Sequence, residues 1–123
     1  MSRILIVEDN EMNRDMLSRR LERAGHQVTI AVTASEGIER VRSEQPVLVL
    51  MDLSLHDMDG RDATRLLKGD EATRAIPVVA LTAHAMASDR ASALAAGCDE
   101  FETKPVDFAR LTTTIERVLK GLA

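Results

Sequence analysis

The residues of this sequence that could do chemistry together are carboxylates, a threonine and a lysine that stand at the ends of apolar runs or close to them. They are Glu8 and Asp9 after 4–7, Asp52 after 47–51, Thr82 after 78–81, and Lys104 between Gly97 and Pro105. Carboxylates that crowd together repel each other unless a cation intervenes, and oxygen ligands suit a hard ion such as Mg²⁺. An aspartate can attack phosphorus and form an acyl phosphate, while a metal ion and a lysine stabilise the transferring phosphoryl group. These residue types are those that phosphorylation of an aspartate requires.

The elements that must bring these residues together can be predicted from alternating apolar and amphipathic segments. The predicted strands are 3–7, 28–31, 47–51, 78–81 and, with the weakest pattern, 100–102; the predicted helices are 10–24, 35–43, a segment with Ala63, Leu66 and Leu67, 86–96 and 108–119. Near-continuous apolar runs are typical of strands that are buried on both faces of a parallel sheet. Alternating strands and helices predict right-handed crossovers with helices on both faces. The first, third and fourth strands are the most apolar, so we expect them at the centre of the sheet.

The position of the polar residues in such a sheet predicts a single site. Ligands of open α/β sheets bind beyond the carboxyl ends of the strands. If the strands are parallel neighbours, the carboxylates, the hydroxyl and the ammonium therefore converge on one edge. Asp52 needs no base to act as a nucleophile, because a carboxylate is already ionised at neutral pH.

Each of these residues also has a simpler structural interpretation. Asp9 or Asn10 can cap the first helix, and an aspartate after a strand, such as Asp52, often only starts a loop. Thr82 is β-branched and suits a strand in any case, and an isolated Lys104 would be a solvated surface residue. Their joint occurrence after successive apolar strands is what favours a common site.

Length, charge and composition limit the classes of protein. A chain of 123 residues predicts one domain, 1–123. The net charge of −4 and the 2% of aromatic residues argue against direct binding of nucleic acid. The single cysteine, Cys98, excludes an internal disulfide, and without a basic neighbour in sequence it is predicted to be structural. No apolar run approaches the roughly 20 residues of a membrane span, and the N-terminus leaves no room for a signal peptide, so a cytoplasmic location is predicted.

Four short motifs carry a resemblance to a known family. They are Val7-Glu-Asp-Asn10, Met51-Asp-Leu53 with Met58-Asp-Gly60, Leu81-Thr-Ala83, and Lys104-Pro105. Together they resemble the signature of response-regulator receiver domains of the CheY-like type, over essentially the whole chain. The resemblance implies a flavodoxin-like α/β fold, with a five-stranded parallel sheet in the order 2-1-3-4-5 flanked by five helices. The strand order comes from the resemblance, because spacing alone does not give it.

The resemblance also implies a role for each matching residue. Asp52 would be the phosphoacceptor; Glu8, Asp9, Asp52 and the backbone carbonyl of Ser54 would hold Mg²⁺; Lys104 and Thr82 would contact the phosphoryl group; Thr82 and Phe101 would form the switch. It further implies a cis peptide bond between Lys104 and Pro105. Phe101 stands where many members have tyrosine, and Ser54 and His84 occupy positions that tune the lifetime of the phosphoryl group.

The function that follows is that of a stand-alone response regulator of two-component signalling. Asp52 would accept a phosphoryl group, with Mg²⁺, from a histidine kinase or a histidine phosphotransfer protein. A downstream protein would then bind the face formed by the fourth helix, the fifth strand and the fifth helix. The protein would not be an enzyme in the usual sense, although it would catalyse its own phosphorylation and dephosphorylation, and neither nucleic acid nor a membrane is expected as a partner.

Several alternatives remain open from the sequence. The chain could be the receiver of a hybrid kinase or a longer regulator, or a module that binds partners without phosphorylation. A phosphatase of the haloacid dehalogenase type would need a second aspartate where Ser54 stands. A nucleotide-binding protein would need a Gly-rich loop after the first strand, which is absent from the sequence.

Methionine and histidine residues give weaker predictions. Most of five methionines are predicted to pack in the core or in loops. These methionines are Met12, Met16, Met51, Met58 and Met86. His26 and His56 are predicted to be surface residues, and His84 a solvated residue at the start of a helix. Three scattered histidines do not indicate a transition-metal site.

Overall fold

A computed structural model describes residues 3–84 and 86–121 and contains five strands that alternate with five helices. The elements are β1 (Arg3–Val7), α1 (Glu11–Arg23), β2 (Gln27–Ala31), α2 (Ala34–Glu44), β3 (Leu48–Asp52), α3 (Gly60–Gly69), β4 (Val78–Thr82), α4 (Ala87–Ala95), β5 (Glu100–Thr103) and α5 (Phe108–Lys120). All neighbouring strands are parallel, in the order β2-β1-β3-β4-β5. The expected fold class and strand order are therefore confirmed, with β1, β3 and β4 central. The predicted domain 1–123 includes residues 1, 2, 85, 122 and 123, which lie outside the described residues.

The predicted elements are all present, and the ends that were predicted differ from those observed by at most one residue. The third strand begins at Leu48 rather than at Val47, whose side chain is exposed. It extends through Asp52, and β4 likewise extends through Thr82. Two of the candidate site residues are thus the last residues of their strands, so their backbones are held by the sheet itself.

The core consists of two apolar layers, one on each face of the sheet. Successive residues of a strand point to opposite faces, so Ile4 and Ile6 of β1 pack with α1 and α5, whereas Leu5 and Val7 pack with α2 and α3. All four of these side chains have no exposed surface. Burial on both faces explains why the central strands have near-continuous apolar sequences.

The prediction for most of the methionines was wrong. Met12, Met16 and Met86 are 73%, 49% and 72% exposed, whereas Met51 is buried and Met58 is partly buried. On α1 the buried row is formed by Leu17 and Leu21. The row of Met12 and Met16 lies about 100° around the helix from it, because an α-helix has 3.6 residues per turn and each residue therefore advances it by about 100°. Sequence spacing alone did not separate the two rows.

The helix α3 shows a similar deviation on a smaller scale. Ala63 and Leu67 are buried, but Leu66 is 50% exposed.

Among the described helices, none has both the length and the apolar character that crossing a bilayer requires.

Candidate functional site

The carboxyl ends of four parallel strands bring the candidate residues to one edge of the sheet. Glu8 and Asp9 follow β1, Asp52 ends β3, Thr82 ends β4, and Lys104 follows β5. The register keeps these ends level, because Val7 pairs with Met51, Asp52 with Leu81, and Thr82 with Thr103. The backbone N–H of Lys104 also donates to the carbonyl of Thr82, at 2.7 Å.

Three carboxylates form a compact group that fits a hard divalent cation. Glu8, Asp9 and Asp52 offer oxygen atoms that all lie within 4.8 Å of one another, and Glu8 and Asp52 are only 1% and 2% exposed. The Oδ2 atom of Asp9 is buried without a hydrogen-bond partner. The Nδ1 atom of His56 lies 2.5 Å from it, but the contact lacks the geometry of a hydrogen bond. An unpartnered buried carboxylate oxygen is what a ligand for Mg²⁺ offers.

Lys104 is part of this group and is not a solvated surface lysine. Its Nζ lies 2.6 Å from Oε1 of Glu8 and 3.3 Å from Oδ1 of Asp52. Burial lowers the pKa of the Lys104 ammonium, but the hydrogen bond to Glu8 and the charge of Asp52 outweigh that effect, so its pKa lies above the ordinary value. The lysine therefore stays charged, as a partner of phosphoryl oxygens must.

The carboxyl of Glu8 has the opposite balance of effects. Burial raises its pKa, the hydrogen bond from Lys104 works against that rise, and the neighbouring Asp52 adds to it, so the pKa lies above the ordinary value. One ammonium thus does not fully compensate the buried carboxylates around it. A divalent cation would supply the missing positive charge.

Asn10 and Arg14 fix the loop between β1 and α1. The Oδ1 atom of Asn10 accepts from the N–H of Asn13 and caps α1, so the cap is Asn10 and not Asp9. The Asn10 N–H donates to Oε2 of Glu8 at 3.2 Å. Arg14 donates from Nη1 to the carbonyls of Glu8 and Asp9. Sequence reasoning missed Arg14, because an arginine on an amphipathic helix usually indicates a solvated face.

The loop after β3 shapes the other side of the site. Oδ1 of Asp52 accepts from the N–H of Ser54 at 3.1 Å. The carboxylate of Asp57 accepts from the N–H groups of Ala34 and Ser35, so it ties this loop to the start of α2. Asp57 was also missed, since nothing in the sequence links it to a helix 22 or 23 residues earlier. His56 is exposed, as predicted.

The two candidate switch residues are both buried. The Oγ1 atom of Thr82 accepts from the N–H of His84 at 3.1 Å, and Thr82 is 1% exposed. Phe101 is 6% exposed and belongs to the apolar layer that contains Ala80, Ala93 and Cys98. The side chain of Phe101 therefore already fills space inside the fold. The Lys104–Pro105 peptide bond is cis, as the resemblance implied.

Cys98 and His84 lie outside the group of interacting site side chains. Cys98 is buried, its Sγ lies 3.7 Å from Oγ1 of Thr64, and burial raises the pKa of its thiol. The burial agrees with a structural role. His84 is exposed, and His26 is partly exposed.

The sequence profile of a known family, the response regulator receiver domain, matches residues 4–116. The chain belongs to this family. A curated relative, the polar-differentiation response regulator DivK from Brucella ovis, is 35% identical over 116 residues, which are 94% of each chain. As a receiver domain of two-component signalling, the protein is in a family that does not consist of classical enzymes. Receiver domains interact with histidine kinases and downstream effectors.

Solved structures of other receiver domains agree with this fold. A CheY-like receiver domain protein from Methanospirillum hungatei superimposes with a TM-score of 0.91 at 30% identity, over 99% of this chain and 96% of the other. The receiver domain of a sensor histidine kinase from Pseudomonas aeruginosa has a TM-score of 0.90 at 32% identity, over 97% and 98% of the two chains. That structure has a magnesium ion coordinated in its active-site cleft. The alternative of a hybrid-kinase receiver is no better supported than a DivK-like response regulator.

Proposed function

We propose that Asp52 of this receiver domain is the residue that accepts the phosphoryl group. The observation that supports the proposal is the convergence, on one edge of the sheet, of a buried aspartate with Lys104 and two further carboxylates. The donor would be a phosphorylated histidine of a kinase or a phosphotransfer protein. The Asp52 carboxylate would attack phosphorus, the bond from phosphorus to the histidine nitrogen would break, and its electron pair would leave with the imidazole.

We further propose that Glu8, Asp9, Asp52 and the backbone carbonyl of Ser54 hold Mg²⁺. The three clustered carboxylates and the unpartnered Oδ2 of Asp9 support this assignment, and Mg²⁺ is commonly held by one or two carboxylates together with waters. When bound, the ion would neutralise charge that develops on the phosphoryl oxygens. The ammonium of Lys104 lies beside the same Asp52 oxygen that accepts from Ser54, which suits it to contact the phosphoryl group as well.

We propose that Thr82 and Phe101 transmit the effect of phosphorylation from the site to the protein surface. A phosphoryl group adds negative charge and strong acceptor oxygens, and Thr82 is the hydroxyl on the neighbouring strand. To contact a phosphoryl oxygen, the Thr82 hydroxyl would donate its own proton, and its movement would displace the Oγ1 atom that now accepts from the N–H of His84. That displacement would change the segment before α4, and Phe101 packs in the same apolar layer as Ala93 of α4. A downstream protein would read the change on the face formed by α4, β5 and α5.

We propose that the chain as a whole acts as a signalling unit. Residues 1–123 would form one receiver domain, acting in the cytoplasm between a phosphorylated histidine and a protein target. The chain would contribute to its own phosphorylation and dephosphorylation through the same site residues.

The test is the mass of the intact protein after incubation with acetyl phosphate, with and without Mg²⁺. We expect the wild type to gain one phosphoryl group only with Mg²⁺, and Asp52→Asn to gain none. Asp15→Asn is the matched control, because Asp15 is an exposed carboxylate of α1 that pairs with Arg19. It should be phosphorylated like the wild type. A wild type that binds Mg²⁺ but gains no mass would favour a module that acts without phosphorylation.

A further inference from the structure

Arg14 of α1 contacts the backbone of both acidic residues that follow β1. Its Nη1 donates to the carbonyl of Glu8 at 3.1 Å and to the carbonyl of Asp9 at 2.8 Å. We propose that Arg14 is a positioning residue for the metal site, which acts by fixing the direction of the Asp9 carboxylate. The inference rests on the proposed function, since it requires that Asp9 holds a cation.

The three carboxylates of the site are held in different ways. That of Glu8 contacts Lys104 and the N–H of Asn10, and that of Asp52 contacts Lys104 and the N–H of Ser54. The Oδ2 of Asp9 has no hydrogen-bond partner, and the side chain of the neighbouring His56 is 93% exposed. Apart from the 2.5 Å contact with Nδ1 of the exposed His56, the position of the Asp9 carboxylate depends on its own backbone and rotamer.

The two carbonyls that Arg14 holds are those that determine this backbone. A peptide unit is planar, so the direction of its carbonyl fixes the plane. The carbonyl of Glu8 belongs to the plane before the Cα of Asp9, and the carbonyl of Asp9 belongs to the plane after it. With both planes held by one guanidinium nitrogen, the two soft dihedral angles of Asp9 are restrained, and the direction of its Cβ follows.

The competing explanation is that Arg14 affects metal binding only through its positive charge. A second arginine of α1 serves to test it. Arg19 lies on the same helix, is exposed, and pairs with Asp15 at 3.1 Å. Interactions between exposed charges are screened over about 8–10 Å at moderate salt. Arg19→Gln removes the same charge from the helix without touching the loop, so it separates an effect of charge from an effect of backbone position.

The experiment measures Mn²⁺ binding to the full chain by electron paramagnetic resonance, with Mg²⁺ as competitor. Changes to partners behind a metal ligand typically weaken metal binding by about 10-fold or more, which is the loss we expect for Arg14→Gln. Arg14→Lys should recover most of the affinity, because an ammonium keeps a charge and several donors. Arg19→Gln should stay within about twofold of the wild type, the scatter expected for independent sites.

A double-mutant cycle with Asp9→Asn tests whether Arg14 acts through Asp9. In that background Arg14→Gln should change the affinity by less than about twofold, because the group that it positions no longer contributes a charge. An equal loss in both backgrounds would overturn the inference, as would an equal loss in Arg19→Gln or an unchanged affinity in Arg14→Gln.

Folding and the proposed function are controlled separately. Unfolding of each variant is followed by circular dichroism in a chelator. If Arg14→Gln does not fold, Arg14→Met replaces it, because methionine keeps an aliphatic side chain without donors; an affinity equal to that of the wild type would then overturn the inference. A wild type that binds neither Mn²⁺ nor Mg²⁺ would contradict the proposed function itself, whereas tight binding by both the wild type and the Arg14 variants would contradict only the role of Arg14.

Discussion

At the carboxyl end of the sheet, the negative charges of the candidate site outnumber its positive charges. Three carboxylates lie together, and among the described residues Lys104 is the lysine that contacts two of them. Burial raises the pKa of Glu8, the hydrogen bond from Lys104 opposes that rise, and the neighbouring Asp52 adds to it. Lys104 neutralises part of this charge through Oε1 of Glu8 and Oδ1 of Asp52.

Removing Lys104 should make the protein depend more strongly on metal. In Lys104→Met we expect the free energy of unfolding without metal to fall by about 2–4 kcal/mol, because two buried carboxylates lose their cation. The increase in stability on adding Mg²⁺ should then exceed that of the wild type. Urea denaturation with chelator or with Mg²⁺ measures both quantities. Lys120→Met, at the exposed end of α5, serves as the control, and a variant with unchanged Mg²⁺ dependence would contradict the expectation.

Cys98 should be chemically inert in the folded protein. Its thiol is buried and burial raises its pKa, so little thiolate is present or accessible at neutral pH. We expect a disulfide reagent to label the native chain at least about 10-fold more slowly than the chain in denaturant. The absorbance of the released thiolate measures both rates. Equal rates would show that Cys98 is open to solvent.

Helix ends and close contacts hold the loops of the site at the scale of the elements. Four helices have a side-chain cap that accepts a backbone N–H; the caps are Asn10, Thr33, Asp59 and Asp107. The start of α2 has a second acceptor, because Asp57 takes the N–H groups of Ala34 and Ser35 while Thr33 takes that of Glu36. The loop after Asp52 is therefore anchored to a helix on the same face of the sheet.

Asp57→Asn should destabilise the protein in a pH-dependent way. The N–H groups of Ala34 and Ser35 lower the pKa of Asp57 below its ordinary value of 3.8. For an acid with a lowered pKa, the contribution to stability is fully present above 3.8 and is lost as the pH falls through the lowered value. At neutral pH we expect a loss of about 0.5 kcal/mol, the low end for a cap that is exposed to solvent.

Urea denaturation of the wild type and Asp57→Asn across the acidic range checks this expectation. The difference between the two proteins should shrink toward low pH. Asp15→Asn is the control, because Asp15 is exposed and pairs with Arg19 on the same helix. A difference that grows toward low pH would contradict the assigned sign.

Two glycines of α3 should respond in opposite ways to alanine. A Cβ at Gly60 would collide with the carbonyl oxygen of Asp52 and would lie 2.8 Å from the Cα of Leu53, whereas one at Gly69 meets nothing within 4 Å. Gly60→Ala should cost about 1–3 kcal/mol through overpacking. Gly69→Ala should be neutral or stabilising by up to about 1 kcal/mol, since alanine favours a helix. Thermal unfolding compares them, and equal effects would contradict the close approach of α3 to β3.

The described residues form a sheet that is covered on both faces, with the candidate site at the edge formed by the carboxyl ends of its strands. Each apolar layer packs against the central strands from one side, so β1 and β3 are buried up to their last residues. Glu8 and Asp9 follow β1, and Asp52 is itself the last residue of β3. Binding a cation at that edge should therefore stabilise the folded state as a whole.

Magnesium should raise the stability of the whole chain by mass action. At about 100 times its dissociation constant, a ligand that binds only the folded state adds about 2.7 kcal/mol to the free energy of unfolding. We expect that gain in the wild type and a much smaller one in Asp9→Asn. Asp15→Asn should keep the full gain. Urea denaturation at increasing Mg²⁺ measures the effect, and a wild type with no gain would contradict the metal site.

The sequence by itself determined the order of the elements and most of the candidate site. Buried strands leave a strong signal, because a strand that is covered on both faces must be apolar at every position, and the polar residue at its end then stands out. Glu8, Asp52 and Thr82 were identified in this way, whereas Lys104 was located by its position just before Pro105. The tertiary structure confirmed that their strands are neighbours and placed Asp52 and Thr82 inside the strands themselves.

Only the tertiary structure decided how these residues are held and which apolar side chains stay outside. Arg14 and Asp57 act through backbone groups of other segments, and such contacts leave no periodic pattern in a sequence. Met12 and Met16 share the apolar character of Leu17 and Leu21, but the sheet covers only one side of α1, so half of that apolar set is exposed. Sequence periodicity indicates on which side of its own helix or strand a residue lies, whereas the residues that it contacts depend on how the elements pack.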